Sequence, residues 1–185
     1  MRTDFVPADL DTTDWAKIEP YVTQLLERPV STAEELEQWL LDRSELDAAC
    51  SQGRAELYID MTCDTSNEAR QQAYTAYLEN TAPKLAPAAF ELDTRQVELT
   101  QATGLNSARY EVLTRDTRSE VELFRPENVP VETELQKLSQ KYDQITGAMM
   151  VEFEGEERTF PQMARYQEST DRAQREAAWQ IGRAS

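Results

Sequence analysis

Apolar residues recur every three or four positions along most of the chain, which predicts a mainly helical protein. The first run begins at Thr13 or Asp14 and ends near Arg28, just before Pro29. The segment Ser31-Thr32-Ala33-Glu34 follows, and we interpret it as a capping box in which Ser31 is the cap and Glu34 reaches back. From there an apolar stripe continues to Met61, which predicts a single helix of roughly thirty residues.

Further helices are predicted after a polar turn at residues 64–67. Pro83 and Pro87 are expected to bend or break the second long helix, and another helix is expected from about Ser107 to Phe124. Residues 125–130 contain two prolines and form the clearest break in the chain. We therefore predict an N-terminal helical region at residues 1–125 and a second region at residues 126–185, which opens with an amphipathic helix through Leu135, Leu138, Tyr142 and Ile145.

The hydrophobic period changes from helical spacing to alternation after Gly147. Met149, Val151 and Phe153 alternate with Met150, Glu152 and Glu154, which predicts a strand. Glu154-Gly155 supplies a turn, and residues 156–160 can return as a second short strand. A last helix is expected from Ser169 or Thr170. The predicted fold class is mainly α, with long antiparallel helices in a bundle or hairpin arrangement and one short β-hairpin near residues 148–160.

The charge balance limits the partners that the chain would attract. Lys and Arg number 19 against 35 Asp and Glu, so the net charge is −16. Such a chain repels nucleic acid and anionic membranes, whereas basic partners remain open. No stretch provides the ~20 apolar residues of a membrane helix, and residues 1–10 do not resemble a secretory signal.

The two cysteines, Cys50 and Cys63, lie on the predicted long helix, thirteen positions apart. At ~1.5 Å per residue they would be roughly 20 Å apart, too far for a disulfide. We expect reduced, partly buried thiols and a cytoplasmic protein.

No residue of this chain is predicted to be catalytic, cofactor-binding or metal-binding. The sequence contains no histidine, which excludes Ser-His-Asp and Cys-His arrangements and imidazole zinc sites, and its five glycines are scattered. We interpret the carboxylates of the hairpin as part of a solvated turn, and a hard-cation site is the alternative. The residues are Glu152, Glu154, Glu156 and Glu157. Asp9 and Asp11 could suggest a calcium loop, but the remaining ligands and the glycine of such a loop are missing. Tyr74, Tyr77 and Tyr110 could form a ligand-stacking group, but we favour a packing role for them.

The C-terminal segment contains the densest group of capping and charged residues. Ser169 and Thr170 are expected to cap the last helix, and Asp171 lies four residues before Arg175, so the two side chains are expected to pair across one turn. A structural role is favoured for this group.

Three segments together resemble the oligoendopeptidase F family of thimet-oligopeptidase-like zinc metallopeptidases. They are Lys141-Tyr142-Asp-Gln-Ile145-Thr146-Gly147-Ala148, Val151-Glu-Phe153-Glu-Gly155-Glu-Glu157 and Asp171-Arg172-x-x-Arg175-x-x-Ala178-Trp179. The resemblance covers roughly residues 30–180. It implies a long N-terminal helical region that, with a helical catalytic domain, encloses a deep channel for short peptides.

The family's chemistry resides in a His-Glu-x-x-His helix that binds zinc, and no family catalytic residue falls on this sequence. The resemblance therefore implies an N-terminal, channel-wall portion of a zinc metalloendopeptidase, with zinc in the full-length parent and none in this chain. The second region would continue toward a catalytic domain that the chain lacks. The alternative is a free-standing acidic interaction module, and a carboxylate-only metal enzyme is a third. We also expect self-association through exposed apolar faces if a catalytic half is missing.

Overall fold

The computed structural model describes residues 4–105 and 108–184. Within these residues the chain forms eight helices and one two-stranded antiparallel sheet, which confirms the predicted fold class. The elements are α1 Trp15–Glu27, α2 Ala33–Cys63, α3 Glu68–Asn80, α4 Ala82–Thr103, α5 Glu111–Leu123, α6 Asn128–Gly147, β1 Met150–Phe153, β2 Glu156–Thr159, α7 Phe160–Gln167 and α8 Arg172–Ala184.

The capping box of α2 exists, but it lies one residue later than predicted. Thr32 is the cap, and its hydroxyl accepts a hydrogen bond from the Glu35 amide at 3.2 Å. The Glu35 carboxylate accepts hydrogen bonds from the amides of Thr32 at 3.1 Å and Ser31 at 2.7 Å. The prediction of Ser31 and Glu34 was wrong because Thr32 is the last residue with extended dihedral angles, at φ −123° and ψ 163°.

The predicted break at the prolines falls between α3 and α4. Helix α3 ends at Asn80, and Pro83 lies in the first turn of α4, where a missing amide hydrogen costs nothing. Pro87 lies inside α4 and does not end it. Helix α5 begins at Glu111 rather than near Ser107, which lies outside the described residues, because residues 108–110 form a turn.

Three separate clusters of buried apolar residues occur in the described ranges. The largest joins α1, α2 and α4, and its buried members include Ile18, Val22, Leu25, Leu36, Trp39, Leu46, Leu92 and Leu99. A second joins the end of α2 to α3 through Met61, Tyr74, Tyr77 and Leu78. A third joins the hairpin to α7 and α8 through Phe153, Met163 and Ala178.

A buried polar network fastens α2 to α4 and α5. The guanidinium of Arg43 donates to the Asp93 carboxylate at 2.6 Å and to the Gln96 side-chain oxygen at 2.9 Å. The Gln96 amide in turn donates to the Thr117 hydroxyl at 2.8 Å. Each of these groups thereby recovers a hydrogen bond that burial in the core would otherwise remove.

Four residues separate the end of α5 from the start of α6, and α6 packs against α3 and α4. The division into residues 1–125 and 126–185 stays a prediction. No helix in the described part of the chain is long and apolar enough to cross a membrane.

The β-hairpin has Glu152 opposite Glu157 and Phe153 opposite Glu156. Glu154 and Gly155 form its turn, both with positive φ, at 56° and 78°. Helix α7 follows directly, capped by Thr159, whose hydroxyl accepts from the Gln162 amide. Contacts between α7 and α8 complete this C-terminal unit.

Candidate functional site

Helix α6 lies on the rest of the protein through its polar side. Gln140, at the middle of the helix, is buried; its amide donates to the Gln71 carbonyl at 3.2 Å, and its oxygen accepts from the Thr75 hydroxyl at 3.0 Å. Seven residues later Gly147 lies so close to the Thr65 side chain that an added Cβ would come within 3.0 Å of its hydroxyl oxygen. These contacts fix which side of α6 faces α3.

An open cleft separates α6 from the second half of α2, and α3 forms part of its lining. Its volume is about 760 Å³. The lining residues are Ser51, Arg54, Ala55, Tyr58, Tyr74, Gln136, Leu138, Ser139, Gln140, Tyr142 and Asp143. Aromatic rings, hydroxyls, carboxamides and one guanidinium therefore share one cleft, which we take as the candidate functional site.

One hydrogen bond spans the cleft from wall to wall. The Tyr58 hydroxyl on α2 donates to the Asp143 carboxylate on α6 at 3.4 Å. The negative charge of Asp143 raises the pKa of Tyr58, so the phenol stays protonated and remains a donor. The Tyr58 ring also makes an edge contact with Tyr74, with the ring centroids 5.7 Å apart.

The cleft presents several kinds of polar and aromatic groups. Its side chains provide hydrogen-bond donors and acceptors, a cation at Arg54 and aromatic surface, but no histidine or cysteine.

The opposite side of α6 is apolar and faces outward. Five side chains, each between 57% and 66% exposed, form what we call the α6 outer stripe: Val131, Leu135, Leu138, Tyr142 and Ile145. The sequence predicted this amphipathic pattern correctly, but the stripe does not cover the core. Leu138 and Tyr142 also form the rim of the cleft.

The hairpin carboxylates do not converge on one point. Glu152 and Glu157 oppose one another across the two strands, whereas Glu154 accepts a hydrogen bond from Gln174 at 2.7 Å and Glu156 pairs with Arg158 at 2.7 Å. Across residues 4–105 and 108–184, no three His, Cys, Asp or Glu side chains are grouped so as to hold a metal ion.

The other candidate side chains have local partners. Asp11 accepts from Thr13 and from the Lys17 ammonium at 2.7 Å. Tyr74 and Tyr77 are buried in one cluster, while Tyr110 lies against the main core and its hydroxyl donates to Glu37 at 3.0 Å. The structure thus separates Tyr110 from the other two tyrosines.

The predicted pair of Asp171 and Arg175 does not form. Asp171 accepts instead from the Ala173 amide at 2.9 Å, and Arg175 donates to the Ser169 carbonyl. The prediction was wrong because both side chains are used to close the start of α8.

Both cysteines are free thiols. Burial, with a smaller contribution from the charge of Asp47, raises the pKa of Cys50 to about 11, so this thiol is unreactive at neutral pH. Cys63 is exposed at the end of α2.

Sequence reasoning did not find the cleft. Tyr58 and Asp143 are 85 positions apart, and nothing in either segment indicates that the two meet. The one available signal is Gln140, a polar residue on the side of α6 opposite its apolar stripe.

Residues 5–124 match the family described as Peptidase M3 N-terminal domain. The match spans α1 to α5 and covers more than half of the chain. The chain therefore belongs to this family, as the sequence resemblance indicated. No curated protein and no solved structure matches it.

Proposed function

We propose that this chain is the N-terminal helical portion of a zinc-dependent oligopeptidase that hydrolyses short peptides. In this proposal it forms one wall of the channel through which substrates reach a catalytic domain carried by another segment. The match of residues 5–124 to the Peptidase M3 N-terminal domain is the observation that supports it.

The residues of this chain do not fit a zinc ion. The sequence has no histidine, and the described side chains offer no group of three possible ligands. The zinc and its catalytic glutamate would thus belong to the parent protein beyond these residues, and this chain alone would be inactive. Its two free cysteines are compatible with a cytoplasmic location.

In the assembled enzyme the α2–α6 cleft would contact the peptide. Tyr58 lines the cleft and is nearly half exposed, and Arg54 offers a cation to a carboxylate or carbonyl. The net charge of −16 would favour basic peptides over acidic ones through long-range attraction.

Two measurements on the native gene product test this proposal. An antibody against this chain should detect a protein well above 21.2 kDa, and the immunoprecipitate should cleave a fluorogenic peptide in a chelator-sensitive manner. A product of 21.2 kDa without such activity would contradict the proposal.

The role of the cleft is tested by Tyr58→Ala in the full-length protein. We expect a several-fold rise in KM with little change in kcat, because only substrate binding is weakened. Ile59→Ala is the matched control, since Ile59 is exposed on the same helix but does not line the cleft. Equal effects of both variants would exclude the cleft as a substrate contact.

A free-standing acidic interaction module is the second candidate. The α6 outer stripe favours it, because five exposed apolar side chains on one helix are typical of a docking surface. A native product of 21.2 kDa would select this candidate.

A further inference from the structure

The apolar side of helix α6 faces outward and its polar side faces the protein, whereas a helix that covers a core has its apolar side inward. Successive residues are about 100° apart around a helix, so all five members of the α6 outer stripe lie between about 140° and 220° from Gln140. Gln140 is buried and hydrogen-bonded to α3, whereas the stripe is exposed along the length of the helix. The apolar side is therefore free to contact another molecule.

The spacing of the stripe specifies the shape of what covers it. Its members follow one another at steps of four, three, four and three residues, which is the a and d pattern of a coiled coil. Val131, Leu138 and Ile145 occupy d positions, and Leu135 and Tyr142 occupy a positions. Such a seam accepts the side chains of a helix, which insert between its own as knobs into holes.

We propose that the α6 outer stripe pairs with the same stripe of a second copy of this chain, in antiparallel orientation. Two antiparallel registers cover four members of the stripe, and we choose the one in which Leu135 packs against Leu138 of the second copy and Val131 packs against Tyr142, because of the charges described below. The two-fold axis repeats both contacts, so four of the five members of the stripe are covered on each chain.

The charges beside the seam select this orientation. Glu134 and Lys141 both occupy g positions, and an antiparallel pair in this register brings Glu134 next to Lys141 of the second copy, twice per dimer. A parallel pair would bring Glu134 next to Ser139 and Lys141 next to Thr146, with no opposite charges in contact. Lys141 forms no ion pair within the described part of its own chain, so it is available.

The pairing is expected to be weak. The seam has only two heptads, and each chain carries a net charge of −16, which opposes association. We therefore expect dissociation in the micromolar range or above and a monomer at low concentration. This proposal concerns the 185-residue chain itself and does not depend on the peptidase proposal.

Sedimentation velocity tests the proposal. The 185-residue chain is measured at physiological salt over a series from low micromolar to high micromolar concentration. We expect a concentration-dependent shift from monomer to dimer. Leu138→Glu should abolish the shift without unfolding the chain, because this side chain is exposed. Leu123→Glu is the matched control, since Leu123 is a more exposed leucine at the end of α5.

Charge reversal tests the orientation. Lys141→Glu should weaken dimerisation at least several-fold, because it places the new carboxylate beside that of Glu134 across the seam. Glu134→Lys should have the same sign of effect, although it also removes the 3.2 Å contact of Glu134 with Lys137. The double variant Glu134→Lys/Lys141→Glu keeps the net charge and should restore the dimer.

Three results would overturn the proposal. They are a monomer throughout the series, a dimer that Leu138→Glu leaves intact, and a dimer that Leu123→Glu disrupts equally. Reversal variants without effect, in a dimer that Leu138→Glu does disrupt, would overturn the antiparallel orientation. The activity of the native gene product enters none of these measurements, so the two proposals fail independently.

Discussion

Asp11 shows how one exposed side chain organises the segment that leads into α1. Its carboxylate accepts hydrogen bonds from the Lys17 ammonium at 2.7 Å and from the hydroxyl and amide of Thr13 at 2.7 Å and 3.0 Å. These hydrogen bonds, that of Lys17 above all, lower the pKa of Asp11 from 3.8 to about 2. The charged form is thus favoured by the fold.

The lowered pKa of Asp11 gives a pH dependence with a defined sign. Its contribution to stability is complete above pH 3.8 and is lost as the pH falls toward about 2, because the folded chain resists protonation that the unfolded chain accepts. In Asp11→Asn, the midpoint of urea unfolding should fall less steeply over this range than in the parent chain. Lys17→Met, which removes the ammonium donor of the 2.7 Å hydrogen bond to Asp11, should reduce the slope in the same direction.

At the scale of elements, the sequence predicted the helices well and their ends less well. The stripe from Leu36 to Met61 predicted α2 over almost its full length, because a long amphipathic period has few alternative interpretations. Its first residue was misplaced because Ser31 and Thr32 are both good caps and Glu34 and Glu35 are both acidic. Only the backbone dihedral angles distinguish them.

The capping box of α2 therefore provides a direct test. Thr32→Ala should lower the free energy of unfolding by about 1 kcal/mol, because the Glu35 amide loses its acceptor. Ser31→Ala should change it by only a few tenths of a kcal/mol, since the Ser31 hydroxyl is not the cap. Chemical denaturation of both variants measures the difference. A larger loss from Ser31→Ala would show that the helix starts where the sequence first indicated.

The contact between α2 and α4 depends on a group that no local pattern reveals. Arg43 and Asp93 are 50 positions apart, and each looks like an ordinary surface charge in its own helix. In the fold Arg43 is buried, and its planar guanidinium reaches Asp93 and Gln96 at once. Tertiary packing, which the sequence pattern does not encode, creates this pair.

Removal of the Arg43 charge should destabilise the folded protein. Arg43→Met should lower the free energy of unfolding by about 3 kcal/mol, because Asp93 and Gln96 lose their partner away from water. Arg95→Met is the matched control on α4: its contact with Glu98 is 3.6 Å long and the Glu98 side chain is 63% exposed, so a loss below about 1 kcal/mol is expected. Adding Asp93→Leu to Arg43→Met should recover part of the loss. Urea denaturation that showed equal losses for Arg43→Met and Arg95→Met would contradict the buried network.

At the scale of the molecule, the class of fold and the family were both accessible from sequence, whereas the orientation of α6 was not. The apolar stripe from Leu135 to Ile145 has the period of a core-facing helix, yet Gln140 and Gly147 place its other side against the protein. Periodicity predicts that an apolar stripe is covered, but it does not identify the element or molecule that covers it. The cleft beside α6 was missed for the same reason, since it exists only once α2 and α6 are placed together.

The C-terminal unit of hairpin, α7 and α8 has its own small core. Phe153, Met163 and Ala178 form a cluster separate from the two larger ones in the described residues. A unit held by so few buried side chains is expected to open at lower free energy than α1, α2 and α4. Its backbone should therefore exchange hydrogen first.

Met163→Ala tests whether this unit opens alone. The Met163 side chain is 3% exposed, and truncation of such a buried side chain costs about 2–5 kcal/mol. Here the loss of stability should be confined to residues 150–181. Hydrogen exchange followed by mass spectrometry should show lost protection in β1, β2, α7 and α8 and unchanged protection in α1 and α2. Leu99→Ala, in the main cluster, should instead lower protection across α1, α2 and α4. If Met163→Ala lowered protection in α1 and α2 as strongly as in α8, the C-terminal unit would be part of one cooperative fold. If the two units instead open separately, the response of α6 to the two variants shows which unit contains that helix, and so tests the predicted boundary at residue 125.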